Sequence, residues 1–304
     1  MPENISLISS FDSLREAIQG VYGADAAVIS ERYVPGGDAN EAYLLSLNTG
    51  DSVFMKSNRL SNEHFFVAES EGLAAIASTK TIRTPRLLCR GKDSQSGRAF
   101  LLMEYVYGAA MVPDFWETFA HELCAMHRAD TAAFVDGGIY GFLSDNTIGA
   151  GEQCNAPKDS WRTFFVECRL EPQFRKAERY FNPDQLRAIH RFLEKMNDLL
   201  IEPDRPSLLH GDLWSGNFIV GNDGKAWLID PAVYVGHAEA DLAMTELFGG
   251  FSRVFYDAYA REAALDPGYR DRRDIYNLYH LLNHLNLFGA GYFSAVMRIV
   301  KKYL

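Results

Sequence analysis

Apolar residues in the first part of the chain repeat at two spacings, which separate strands from helices. Tyr43, Leu45 and Leu47 occupy every second position, as in a strand, whereas residues 11–22 carry apolar side chains at helical spacing. Five strands and one inserted helix are predicted, at residues 27–34, 41–47, 52–56, 86–90 and 98–106 and at residues 62–77. This order predicts a small α+β domain with an antiparallel five-stranded sheet.

The rest of the chain is mainly helical in pattern. The pair Asn182-Pro183, followed by apolar residues in steps of three and four, is typical of a capped helix start. The exception is a polar loop at residues 210–217, which leads into a short predicted hairpin at residues 218–229. We therefore predict two lobes, an N-terminal lobe at residues 1–105 and a mainly α-helical C-terminal lobe at residues 106–304.

Composition narrows the class of protein. The 304 residues are 47% hydrophobic and 23% charged, which excludes a disordered chain or a collagen-like fibre. A formal net charge of −10 disfavours nucleic acid as a partner. Because the chain has neither a long uninterrupted apolar run nor a signal-like N-terminus, we expect no membrane partner and a cytoplasmic location. The four cysteines show no metal-binding spacing, as expected for reduced thiols. We also expect the protein to be a monomer or a weak dimer.

The loop at residues 210–217 reads His-Gly-Asp-Leu-Trp-Ser-Gly-Asn and carries the clearest chemistry. Phosphoryl transfer from ATP needs a carboxylate base and oxygen ligands for a divalent metal ion. The spacing from Asp212 to Asn217 matches the kinase catalytic loop H-R-D-x-x-x-x-N. Since the hairpin returns the chain, Asp230 can stand beside Asn217. The sequence predicts Asp212 as the base, and Asn217 and Asp230 as ligands of Mg²⁺.

Two further parts of a kinase site occur earlier in the chain. Lys56 follows Val-Phe-Met in the third strand, where the kinase motif V-A-I-K has its phosphate-binding lysine. Glu71, in the following helix, is predicted to pair with Lys56. The turn at Gly36 and Gly37 lies where a phosphate-covering loop would be, and its glycines would let backbone N–H groups approach phosphate.

Each part alone has a structural explanation. A lysine at a strand end is usually solvated, a glycine pair is often a simple turn, and Asp212 could cap a helix. The order of all the parts, together with the one matched internal spacing, favours the kinase interpretation over coincidence.

Longer stretches resemble the fructosamine kinase (ketosamine-3-kinase) family, which belongs to the aminoglycoside phosphotransferase-like group with a protein-kinase-like fold. The resemblance rests on the loop at residues 210–217, on Leu-Ile-Asp-Pro-Ala-Val-Tyr at 228–234 and on Gly-His-Ala-Glu-Ala-Asp-Leu-Ala-Met at 236–244. It implies ATP-dependent phosphorylation of the 3-hydroxyl of a ketosamine, either a small molecule or a glycated lysine side chain, in deglycation repair.

The resemblance also implies roles for other residues. His210 and Asp241 would be structural, with Asp241 bracing the catalytic loop. Residues 101–106 would receive adenine, and the positions concerned are Met103, Glu104 and Val106.

Trp214 lies two residues after the predicted base. Its ring is expected to line the acceptor pocket, with Trp161 or Arg169 completing it; the alternative is a core tryptophan that stabilises the loop. His280 and His284 stand one helical turn apart but lack the glutamate of H-E-x-x-H, which indicates a helix interior rather than a zinc site.

Two other functions stay open on the sequence. One is a related kinase for an aminoglycoside, choline or an amino sugar with the same machinery. The other is a nucleotide-binding scaffold without activity, which is disfavoured by the presence of Lys56, Glu71, Asp212, Asn217 and Asp230.

Overall fold

The computed structural model describes residues 8–36, 40–263 and 265–304. Its strands are β1 (Ser10–Phe11), β2 (Val28–Val34), β3 (Glu41–Leu47), β4 (Ser52–Arg59), β5 (Leu87–Asp93), β6 (Arg98–Glu104), β7 (Asn146–Ile148), β8 (Gly151–Gln153), β9 (Ser207–Leu209), β10 (Phe218–Val220), β11 (Ala226–Leu228) and β12 (Tyr234–Gly236). Its α-helices are α1 (Leu14–Tyr22), α2 (Glu63–Ser78), α3 (Phe115–His127), α4 (Trp161–Phe165), α5 (Glu171–Lys176), α6 (Pro183–Glu194), α7 (Met196–Leu199), α8 (Glu239–Leu247), α9 (Arg253–Glu262), α10 (Tyr269–Phe288) and α11 (Phe293–Lys302).

The chain forms two compact units, and their boundary differs from the division expected at residues 105 and 106. Unit 1 comprises Met1–Phe115 and Phe218–Pro231, and unit 2 comprises Trp116–Asn217 and Ala232–Leu304. The hairpin β10–β11 belongs to unit 1 because backbone hydrogen bonds attach it there. The N–H of Leu228 donates to the carbonyl of Arg83 at 2.8 Å.

Unit 1 contains a six-stranded sheet in the order β1-β5-β6-β4-β3-β2, rather than the five strands expected. The additional strand, β1, pairs in parallel with β5 and is only two residues long, too short to show a period. The other neighbours pair antiparallel, as predicted. Successive β6 residues point to opposite faces: Leu102 belongs to the core cluster that includes α1, and Leu101 to the cluster that includes α2.

Unit 2 is built around α10, which packs against α5, α8 and α11. The short pair β9–β12, with Leu209 opposite Tyr234, leads directly into the loop at residues 210–217. The predicted helix start at Asn182 is confirmed, since α6 begins there with reciprocal side-chain caps between Asn182 and Gln185. Within the described ranges, no helix is both long enough and apolar enough to cross a bilayer.

Candidate active site

In unit 1, Lys56 on β4 lies between two carboxylates. Its Nζ is 2.6 Å from Glu69 Oε1 and also forms an ion pair with Asp230 Oδ1. The side chains of Lys56 and Glu69 are almost completely buried, whereas that of Asp230 is 38% exposed. The ammonium is therefore fixed in place, and the carboxylate of Asp230 remains partly open to a ligand.

The charges of this triad shift the pKa values of its members. Burial alone would lower the pKa of Lys56, but the Asp230 and Glu69 carboxylates raise it above its ordinary value. Burial raises the pKa of Glu69, and the charge of Asp230 adds to this because two carboxylates share one ammonium. Lys56 is thus held as a cation, the form that binds phosphate.

The predicted partner of Lys56 was Glu71, and this prediction is wrong, because the pair forms with Glu69. Two residues correspond to about 200° around an α-helix, so Glu71 lies on a different side of α2. The sequence held a signal for Glu69, which is in helical phase with the buried Phe66, Leu73 and Ile76.

The hairpin β10–β11 determines where Asp230 stands. Asp223 in its turn accepts from Trp227 Nε1 at 3.0 Å and pairs with Arg83 Nε at 2.6 Å, which fixes the hairpin within unit 1. Asp230, two residues beyond β11, has a φ of 55°, a left-handed conformation that is uncommon outside glycine. Such a conformation at a chemically important carboxylate is typical of functional sites.

In unit 2, Asp241 braces the loop that starts at His210. The N–H groups of His210 and Gly211 donate to its two carboxylate oxygens at 2.7 and 2.9 Å. His127 Nε2 donates to Asp241 Oδ2 at 3.1 Å, and the hydroxyl of Tyr259 lies 2.7 Å from His127 Nδ1. Burial would raise the pKa of Asp241, but these hydrogen bonds lower it below its ordinary value.

This bracing network contains both residues expected to be structural, His210 and Asp241. His127 and Tyr259 are additions that the sequence did not reveal as partners. Gly211 has a φ of 82°, and a side chain there would collide with the carbonyl of Ala232. Any other residue at Gly211 would therefore displace the loop.

The bracing holds Asp212 and Asn217 together. Asn217 Nδ2 donates to the backbone carbonyl of Asp212 at 2.8 Å and to its Oδ2 at 3.1 Å. Because Nδ2 is used in this way, the amide oxygen of Asn217 remains available as a ligand. Asp212 is partly exposed, with 21% of its side chain accessible, as a base that meets a substrate must be.

Trp214 is 38% exposed, which contradicts the alternative of a core tryptophan. Its centroid lies 6.3 Å from that of Phe248, and Phe248 lies 5.1 Å from His284. Gly216 permits this arrangement, since a side chain there would collide with the Trp214 ring. The three rings form a partly exposed aromatic wall that starts two residues from Asp212; we call Trp214, Phe248 and His284 the aromatic wall.

The structure contradicts the expected substrate roles of Trp161 and Arg169, because both are 0% exposed. Trp161 packs in an aromatic core, with Phe165 at a centroid distance of 5.2 Å. Arg169 lies over the ring of Tyr234 at 4.0 Å and donates through Nη2 to Asn155 Oδ1 at 2.8 Å. The sequence motif shows that Trp161 and Arg169 are part of the family pattern, but it does not show whether their side chains are buried.

The other expected nucleotide-binding residues lie in unit 1. Gly36 is exposed with a φ of 128°, and a Cβ there would have no neighbour within 4 Å among the described residues, so the backbone conformation is what requires glycine. Gly37 lies outside the described residues. Met103 is buried in β6, and the N–H of Glu104 donates to the carbonyl of Arg86 at 2.9 Å. Val106 is partly buried just after β6.

Comparison with known proteins agrees with this geometry. Residues 10–304 match the family described as fructosamine kinase. A Synechocystis protein named probable ketoamine kinase is 38% identical over 97% of both chains. An Arabidopsis thaliana protein named protein-ribulosamine 3-kinase, chloroplastic, is 37% identical over 89% of this chain and 81% of its own length.

Solved structures agree as well. A Haemophilus somnus protein described as a fructosamine-3-kinase superposes with a TM-score of 0.85 at 29% identity, covering 96% of this chain and 97% of the other. At the level of fold alone, amicoumacin kinase, solved with AMP-PNP, superposes with a TM-score of 0.55 at 17% identity, covering 90% and 87%.

The fold is therefore the α+β fold of the protein-kinase-like phosphotransferases, as expected, and the protein is a kinase-class enzyme. Within that class, the chain belongs to the fructosamine kinase family.

Proposed function

We propose that this enzyme transfers the γ-phosphoryl group of ATP to the 3-hydroxyl of a ketosamine, as a deglycating repair enzyme. The observation that carries the proposal is the pair Asp212 and Asn217, held by Asp241 in a chain that belongs to the fructosamine kinase family. The names of the Synechocystis and Arabidopsis relatives support a ketosamine as the acceptor.

The division of work follows from chemistry. Asp212 accepts the proton of the attacking hydroxyl, which makes the oxygen a better nucleophile. Lys56, held by Glu69, binds phosphate oxygens as a cation, and the backbone at Gly36 covers them. The backbone at Met103, Glu104 and Val106 receives adenine.

Asn217 in unit 2 and Asp230 in unit 1 each offer a hard oxygen atom of the kind that Mg²⁺ binds. The amide of Asn217 uses its nitrogen on Asp212, which leaves Oδ1 for a metal, and Asp230 is partly exposed. When bound, Mg²⁺ supplies charge neutralisation across the phosphate groups.

The aromatic wall suits the amine side of a ketosamine. The linking nitrogen of a ketosamine is a secondary amine and is protonated at neutral pH, so a ring face attracts it. Trp214 is the member closest in sequence to the base and is our candidate for direct acceptor contact.

The proposal also includes a cytoplasmic location and a monomer or weak dimer, as expected from the sequence.

The test is an acceptor panel with purified protein, Mg²⁺ and ATP, in which ADP release is measured. Fructosyl-lysine and ribulosyl-lysine are compared with kanamycin and choline, and a ribulosyl-lysine peptide separates free from protein-bound acceptors. We expect turnover with a ketosamine and a fall in kcat of roughly 10²–10⁴-fold in Asp212→Asn.

The control is Asp184→Asn, which changes a carboxylate that is 84% exposed on α6 and is not assigned to the reaction. Turnover of kanamycin or choline in preference to both ketosamines would replace the proposed acceptor. ADP release that is unchanged in Asp212→Asn would overturn the assigned base.

A further inference from the structure

His280 lies next to the candidate base, although nothing in the proposed reaction uses it. It is 4% exposed on α10, and its Nδ1 is 3.9 Å from Asp212 Oδ1. This Nδ1 is buried and has no hydrogen-bond partner among the residues that the structure describes. A buried polar atom without a partner is costly, and such atoms in native structures call for an explanation.

The chemistry of the two groups fixes the direction of their interaction. Burial lowers the pKa of His280 to about 3, so the ring is neutral and carries one N–H. An ionised carboxylate can only accept hydrogen bonds. A lone pair on Nδ1 would repel Asp212 Oδ1, and hence the favourable tautomer places the proton on Nδ1.

The helix holds His280 firmly, so closure of the 3.9 Å gap falls to Asp212. The carbonyl of His280 is hydrogen-bonded by His284 Nδ1 at 2.7 Å, and the neighbouring Tyr279 donates through its hydroxyl to Gln153 at 2.7 Å. Asp212 lies in a loop and is partly exposed. Catalytic hydrogen bonds are often long in a free enzyme and shorten when substrate binds.

We propose that His280 is a positioning residue for Asp212: its Nδ1–H donates to Asp212 Oδ1 in the substrate complex, while Asn217 Nδ2 holds Oδ2. Two donors from different segments then fix the carboxylate plane, and one orientation of its remaining lone pairs meets the acceptor hydroxyl. The inference rests on the proposed function, because it takes Asp212 as the base.

The experiment compares variants of His280 that differ in where, or whether, the side chain offers a hydrogen-bond donor. His280→Asn puts an amide nitrogen near the position of Nδ1, whereas His280→Gln places it near that of Nε2, and His280→Leu removes it. The matched control is Asn277→Leu, which removes a buried amide with an unpartnered oxygen one turn earlier on α10. For each, kcat, both KM values and the thermal unfolding midpoint are measured with the acceptor preferred by the wild type.

We expect kcat to fall about tenfold or more in His280→Leu and His280→Gln, with the KM for ATP within about twofold of wild type. His280→Asn should recover kcat to within about threefold. Asn277→Leu should keep its kcat, even where its unfolding midpoint shifts as much as that of His280→Leu.

Equal kcat in His280→Leu and wild type would overturn the proposal, as would equal losses in His280→Asn and His280→Gln. Should His280→Leu fail to fold, the Asn and Gln variants alone decide, since they differ in where the nitrogen lies. A wild type that turns over none of the acceptors overturns the proposed function and this inference together. A slow His280→Gln beside a nearly normal His280→Asn, on any acceptor, supports the role of His280 whatever the acceptor is.

Discussion

The two units hold their chemical groups in different ways. In unit 1, Lys56 is fixed by opposite charges, with Glu69 and Asp230 as its partners. In unit 2, Asp212 sits in a loop whose backbone N–H groups are fixed by the buried Asp241. A group that binds phosphate must stay charged, which neighbouring carboxylates ensure. A base must keep its ability to take a proton, which is easier when neutral donors hold it.

The two units also differ in how their stability changes when the pH is lowered. In unit 2, burial lowers the pKa of two histidines, His237 and His280, to about 3 from an ordinary value near 6.5. In unit 1, the pKa of Glu69 is instead raised. Protonation therefore favours the unfolded form of unit 2 and the folded form of unit 1.

The largest effect expected to distinguish the two units is acid destabilisation of unit 2. Between pH 7 and pH 5 the unfolded chain protonates both histidines while the folded chain leaves them neutral, so stability falls as pH falls. The loss is roughly 2 kcal/mol for each histidine, or about 4 kcal/mol together. Over the same interval Glu69 gains protons preferentially in the folded state, which stabilises unit 1.

Amide hydrogen exchange at pH 7 and pH 5, corrected for intrinsic rates, measures this unit by unit. Opening of α8 and α10 should become easier at pH 5, while that of β4 and α2 should not. The variant His280→Asn should remove about half of the pH dependence in unit 2. Equal acid sensitivity in both units would contradict the contrast drawn from their buried groups.

The sequence predicted those parts of the site that depend on interactions between residues close together in the chain. Asp212 and Asn217 share one loop, so their spacing survives as a motif, and the structure does bring their side chains together. The partner of Lys56 depends on the rotation of α2 against the sheet, which a motif spacing does not contain. Helical phase with Phe66 would have favoured Glu69 over Glu71.

Partners that are distant in the chain could not be predicted from the sequence, because their contacts leave no local motif. His127 and Asp241 are far apart in the chain and meet only through the packing of α3 and α8 in unit 2. Trp161 and Arg169 look functional in a motif, and only the folded chain shows that both are fully buried. The fold class could be predicted without any long-range contact, because strand alternation and helical spacing are local patterns.

The second prediction compares two glutamates on α2. Glu69→Gln removes one of the two negative charges that hold Lys56, and kcat/KM for ATP should fall by roughly 10- to 100-fold. Glu71→Gln makes the same chemical change two residues along the helix and should stay within about twofold of wild type. Steady-state kinetics with ATP varied at saturating acceptor measures both.

The KM for the acceptor should remain unchanged in Glu69→Gln, since the triad belongs to the phosphate side of the reaction. A larger loss in Glu71→Gln than in Glu69→Gln would restore the pairing expected from the sequence. A loss shared equally by ATP and acceptor would argue against the division of work between the units.

The smallest effect that we predict tests the unit 2 side of that division. Trp214→Ala removes the exposed ring of the aromatic wall, and the KM for a ketosamine should rise by about 3- to 20-fold while that for ATP stays within about twofold. Trp214→Phe keeps an aromatic face and should retain most of the affinity. Kinetics with each substrate varied in turn give both constants. Because Trp214 lies two residues after Asp212 in the same loop, an equal rise in both KM values would mean that the ring supports the loop and does not touch the acceptor.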